Sequence, residues 1–198
     1  MTAVGMLVGA GAATASTKKK APPPACKLVK AQPGNGNGGS VSDQSLDITS
    51  ADVASNATTL TSVIRVVKLA TGTQDTATPT GREWDMNFTV NGKEATLQVY
   101  DGPFGTFAST GQATLDTAKS EIRVNVSLAD IASKLNVPIK NKSSILTNFI
   151  VTSKSTVEGP AVPGAFGAGT YFQTGQTDRA SSPARYLAGS SSCVVVGK

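Results

Sequence analysis

The chain has 198 residues, 39% of them hydrophobic but only 5% aromatic, and it contains no histidine. The missing histidines exclude imidazole acid–base catalysis, Ser-His-Asp and Cys-His nucleophile systems and the usual histidine-bearing zinc sites. Eighteen basic against thirteen acidic side chains give a net charge of +5, but Lys18, Lys19 and Lys20 carry three of those five units, so the basic balance belongs to a tail and no nucleic-acid partner is expected.

Residues 4–15 (VGMLVGAGAATA) form an uncharged run of small and apolar side chains ending in Ala13-Thr14-Ala15. That ending has the form a signal peptidase reads, so residues 1–15 are expected to be a signal-peptide-like leader and Ser16 the mature N-terminus. Nothing basic precedes the run, so the true start is expected upstream, or the leader is trimmed. The run is shorter than the roughly 20 apolar residues of a membrane-spanning helix, and no later segment reaches that length. A secreted product without a transmembrane segment is expected. Residues 16–25 (STKKKAPPPA) read as an extended, solvated linker, because lysine and proline together disfavour packing.

Cys26 and Cys193 are the only cysteines. In a secretory context their pairing is the simplest outcome, and the chain-entropy treatment credits so long a loop with about 5 kcal/mol. A lipid-anchored Cys26 is disfavoured, because Pro24-Ala25 stands where a leucine-rich segment is needed. Residues 26–198 then read as a single domain. Residues 34–39 (GNGNGG) lack the Lys-Ser/Thr of a phosphate cradle and precede a strand pattern rather than a helix, so a flexible loop is expected. Asn35, Asn37, Asp43 and Asp47 offer hard oxygen ligands across this loop-to-strand segment and are the candidate calcium ligands.

Strand patterns follow. Residues 45–53 (SLDITSADV) alternate through Leu46 and Ile48, with Ala51 as a further apolar candidate, and residues 59–69 (TLTSVIRVVKL) are rich in β-branched side chains. The clearest signal is residues 84–100 (WDMNFTVNGKEATLQVY), where Asn91-Gly92 predicts a two-residue type I′ hairpin. Its register pairs Trp84/Val99, Met86/Leu97 and Phe88/Ala95 on a core face. Glu83/Tyr100, Asp85/Gln98, Asn87/Thr96 and Thr89/Glu94 fall on a wet face. Residues 104–115 alternate weakly and 121–126 (EIRVNV) cleanly. Leu128, Ile131, Ala132 and Leu135 form a helical stripe, with a cap at Ser127 and a stop at Asn136 and Pro138, predicting one short helix over about 128–136. Residues 145–154 and 193–196 read as further strands. Residues 156–192, rich in Gly, Ser, Ala, Pro and Thr, predict long loops with one or two short strands around Tyr171 and Tyr186. The fold class expected is mainly β, an antiparallel jelly-roll-like β-sandwich.

Nine aspartates and four glutamates leave a carboxylate-pair hydrolase conceivable, though sequence places no two of them at a working distance. Aromatic candidates for a ligand platform are Tyr100, on the wet face of the hairpin, Phe104 just beyond it, and Tyr171 and Tyr186 in the loop-rich part. Trp84, the single tryptophan, is expected in the core.

The succession SLDITSADVASNATTLTSVIRV, PTGREWDMNFTVNGKEATLQVY, EIRVNVSLADIASKL and YLAGSSSC resembles a group of uncharacterised secreted bacterial β-sandwich domains over about residues 26–196. These stand alone behind a signal peptide or are appended to secreted proteases. They are more remotely similar to DOMON-like and family 9-type carbohydrate-binding sandwiches. The resemblance implies a jelly-roll-like sandwich with a terminal disulfide and no catalysis. Related domains open with an Asp-x-x-Gly-Asp turn suited to calcium. Gln32-Pro33-Gly34-Asn35-Gly36-Asn37 stands there in this chain, without the acidic ligands. The function expected is that of a secreted, non-catalytic binding or cell-surface-associated module with an extracellular protein, cell-wall or glycan ligand. The alternative is a calcium-supported carbohydrate-binding module, and a third reading is a polysaccharide-acting hydrolase or lyase.

Overall fold

The computed structural model describes residues 26–30, 43–72, 80–102, 105–159 and 170–190, with residues 26–30, 80, 156–159 and 170–177 described as backbone. The leader, the linker, Asn35, Asn37, Phe104, Cys193 and the expected strand at 193–196 lie outside the described residues.

The fold is built on the hairpin of β4 (Thr80–Val90) and β5 (Lys93–Gly102). Asn91 and Gly92 both take positive φ, 48° and 74°, as a type I′ turn requires. The register is the expected one, with Trp84 opposite Val99, Met86 opposite Leu97 and Phe88 opposite Ala95. All six side chains are buried. Phe88 packs on Phe149 with ring centroids 5.9 Å apart, and the Trp84 indole donates to the Ser45 carbonyl at 2.8 Å.

Two antiparallel sheets face one another across this core. One holds β1 (Cys26–Lys30), β2 (Ile48–Ser55), β3 (Thr59–Val66), β8 (Glu121–Ser127) and β7 (Gln112–Asp116), side by side in that order. The other runs β10 (Thr170–Ser182), β9 (Ile145–Gly159), β4, β5 and β6 (Gly105–Ala108), with the short β11 (Tyr186–Leu187) paired to the start of β9. The chain passes between sheets after β3, after β6 and after β8. No strand pair described joins the sheets into a closed barrel, so the architecture is a β-sandwich.

Several expected boundaries move. Residues 45–47 form a turn, and β2 begins at Ile48. A register shift between Ile48 and Ser50 lets Ile48, Ala51 and Val53 all face inward, which plain alternation would forbid. β3 stops at Val66 because the Val67 and Lys68 amides turn to donate to the Asp47 and Gln44 carbonyls. The weak pattern at 104–115 divides into β6 and β7, which belong to different sheets. The strands expected around Tyr171 and Tyr186 are present as β10 and β11, but β10 is long rather than short, running thirteen residues, and β9 continues to Gly159 where a loop was expected. Backbone ladder bonds hold this ribbon, and its small polar side chains carry little strand signal.

The one helix described, α1 (Leu128–Leu135), follows β8 directly. Ser127 Oγ accepts the Ala129 and Asp130 amides at 3.1 and 3.2 Å, and Asn136 closes the helix in the left-handed conformation. Leu128 and Ile131 are buried, Leu135 is half-buried, and the helix packs against β5 and β8.

Candidate functional site

The structure disperses the residues singled out by sequence. Asp43 Oδ2 accepts Arg82 Nε at 2.6 Å, and its Oδ1 accepts the Ser45 amide at 3.0 Å. Arg82 also donates to the Ala70 and Gly72 carbonyls at 3.3 and 3.0 Å. The Arg82 guanidinium thus ties two loops, at Asp43 and at Ala70–Gly72, to β4. Asp47 accepts the Val67 amide through its backbone carbonyl. Among the described residues no three His, Cys, Asp or Glu side chains are grouped to hold a metal.

The aromatic candidates separate likewise. Tyr186 is fully buried. Its hydroxyl is 2.8 Å from Ser55 Oγ and also donates to the Ser190 carbonyl, so it is an anchor inside the fold and not a surface platform. Burial pushes its phenol above the ordinary value, against the opposing Ser55 bonds. Tyr100 lies on the outer sheet face, as the register required, but is only 4% exposed. Phe107 covers it, with ring centroids 4.7 Å apart. Among the described residues the exposed aromatic is therefore Phe107, at 48%. Tyr171 is placed only by its backbone, opposite Glu158 on β9, and Cys26 only as the partner of Val53.

The expected wet face carries more buried charge than alternation implies. Lys154 on β9 lies opposite Glu83 on β4, and its ammonium is 2.9 Å from Glu83 Oε1 and 2.6 Å from Asp85 Oδ2. Both acids are buried. Burial raises the Asp85 pKa, Glu83 adds repulsion, and the bonds from Lys154 and Thr152 oppose the rise. Burial works against charge on Lys154, but the two carboxylates outweigh it and hold the ammonium above its ordinary value. On the outer face of the other sheet Arg65 bridges Asp52 and Glu121, which also accepts from Arg123 at 3.2 Å. These clusters cement neighbouring strands.

The concave feature lies elsewhere, between β5 and α1. It is a cleft of about 310 Å³. Glu94, Ala95, Thr96 and Leu97 of β5 form one side, and Ile131, Lys134 and Leu135 of α1 the other, with Thr110 at the rim. It exists because β6 pairs with β5 only from Val99 to Gly102, after which the chain leaves for the opposite sheet. The Lys134 ammonium donates to Thr110 Oγ1 at 2.9 Å. Sequence reasoning named Ile131 and Leu135 as a helical stripe but not as a cleft wall. The four-residue length of β6, bounded by Gly105 and the Gly111 turn, was the local signal that β5 would outrun its neighbour.

The class of protein defined by this fold is an antiparallel β-sandwich with a helix-walled cleft at one sheet edge. No protein-family model matches the chain, and none of the curated proteins matches it.

Proposed function

We propose that this chain is a secreted, non-catalytic β-sandwich that works as an extracellular or cell-surface-associated binding module, with the cleft between β5 and α1 as its site. The observation that carries the reading is the cleft itself: an apolar-floored recess with one cation, Lys134, and one anion, Glu94, in its lining, on a scaffold whose other charged clusters are spent on structure. The signal-like leader at 1–15, the Lys/Pro linker at 16–25 and the pair Cys26 and Cys193 support a role outside the cell. The resemblance to secreted bacterial β-sandwich domains supports the same reading.

A second reading, calcium-supported carbohydrate binding, draws on Phe107, an exposed ring stacked on Tyr100 beside Glu83. A glycan array and a displayed-peptide library, probed with wild type, Leu135→Asp and Phe107→Ala, separate the two. Binding lost in Leu135→Asp and kept in Phe107→Ala supports the cleft. Sugar binding that follows Phe107, with a melting point raised by Ca²⁺ and lowered by EDTA, favours the second reading. Hydrolysis of a polysaccharide panel overturns both.

A further inference from the structure

We infer that the cleft receives an extended peptide, added as a new strand along the uncovered half of β5, an inference that rests on the binding-module reading. Backbone chemistry singles out this occupant. In the β4–β5 ladder the tight turn makes Val90 and Lys93 a hydrogen-bonded pair, so the N–H and C=O groups of alternate residues, Lys93, Ala95 and Leu97, point to β4. Those of Glu94, Thr96, Gln98 and Tyr100 point away. Gln98 and Tyr100 are satisfied there, Gln98 by the Ser109 amide and hydroxyl and Tyr100 by pairing with Phe107 on β6. Among the described residues no strand pairs with Glu94 or Thr96 on that side, which leaves two donors and two acceptors facing the cleft. A sheet edge in this state is completed by another backbone.

The surroundings narrow the occupant further. α1 walls the cleft opposite β5, so the added strand would continue the track of β6 along that wall. Alternate side chains of such a strand would point toward Ile131 and Leu135, which favours aliphatic residues at every second position. Lys134 is bonded to a neutral hydroxyl and has no carboxylate partner among the described residues, and Glu94 brings a carboxylate to the same lining, so the complement is a peptide with an acidic group beside Lys134 and a basic group beside Glu94. The ligand class is an extended, aliphatic peptide segment carrying one side chain of each charge, bound through its backbone.

The test selects peptides from a random heptapeptide display library on the full chain, then measures one selected synthetic peptide by fluorescence anisotropy. Thr96→Pro removes one outward N–H while leaving the ladder to β4 intact, and proline is tolerated at such an edge position. The expected result is affinity about tenfold weaker for Thr96→Pro, as for one lost hydrogen bond, and weaker again for Lys134→Ala. A peptide N-methylated at alternate nitrogens should lose binding in one phase of the alternation and keep it in the other, a readout that needs no protein variant. Circular dichroism and melting confirm that the variants fold. Binding indifferent to Thr96→Pro, Lys134→Ala and N-methylation overturns the inference while leaving the module reading in place. So does a wild-type dimer in sedimentation that Thr96→Pro makes monomeric, because a second copy would then cover the edge. Silence from both the peptide library and a glycan array overturns both.

Discussion

Lys154 faces Glu83 across the β4–β9 ladder, yet its ammonium lies nearer to Asp85, 2.6 Å from Oδ2 against 2.9 Å from Glu83 Oε1. One cation therefore neutralises two buried carboxylates on the same face of β4, while Asp85 Oδ1 has no hydrogen-bond partner among the described residues.

Removing that cation should be costly. Lys154→Met leaves two buried acids uncompensated and should destabilise the fold by about 3 kcal/mol, measured by urea unfolding. Adding Asp85→Asn should recover part of the loss. The pH dependence follows from the Asp85 pKa being raised by burial. From its ordinary 3.8 up to its folded value, the native state binds more protons than the unfolded one, so this group's contribution falls as pH rises. Wild type should lose stability relative to Asp85→Asn as pH rises above about 4. A flat difference would show that Asp85 titrates normally.

Arg82, the residue before Glu83 on β4, should be the most sensitive cation. Its side chain is only 5% exposed and holds Asp43 and two loop carbonyls. Arg82→Met should cost about 3 kcal/mol, and Arg82→Lys should restore only part, because an ammonium does not reproduce the planar fork. Chemical denaturation of both variants measures this.

Tyr186 should behave as an anchor. Tyr186→Phe removes the hydroxyl shared by Ser55 and Ser190 and should cost about 1–2 kcal/mol in unfolding free energy. Binding to any ligand should be unchanged when measured well below the melting temperature.

Ser127 couples helix stability to the cleft. Ser127→Ala frees two amides of the first turn and should cost about 1 kcal/mol. Hydrogen exchange should quicken in α1 and leave the β4–β5 hairpin protected.

Cys26 and Cys193 should be joined in protein secreted by an oxidising host. Intact mass should rise by two hydrogens on reduction, and the reduced form should melt at a lower temperature. Two free thiols in that material would end the idea.

Legibility in the sequence followed the range of the physics involved. Asn91-Gly92 and the flanking alternation set the β4–β5 register because turn geometry and side-chain period are local. The α1 boundaries were readable for the same reason, since Ser127 and Asn136 act on backbone groups within one turn. Of the β9–β10 ribbon, the strand over 145–154 and a strand at Tyr171 were readable, but its full length was not. Its stability comes from bonds to a partner strand, and its Ser, Thr and Gly side chains suit a loop equally well. Tyr100 and Asp85 were placed on the correct face but expected to be wet. Phe107 and Lys154, remote in sequence, determine that they are not.

What the sequence by itself determined, then, is the class of the fold, the central hairpin and the capped helix, each specified by contacts a few residues apart. Tertiary structure alone decided the buried ion pairs and the cleft. Arg82 meets Asp43 across 39 positions, and the cleft depends on where β6 ends and where α1 comes to rest. An uncovered stretch of strand is defined by the neighbour it lacks, and neighbours in a sheet are chosen by the folded chain as a whole.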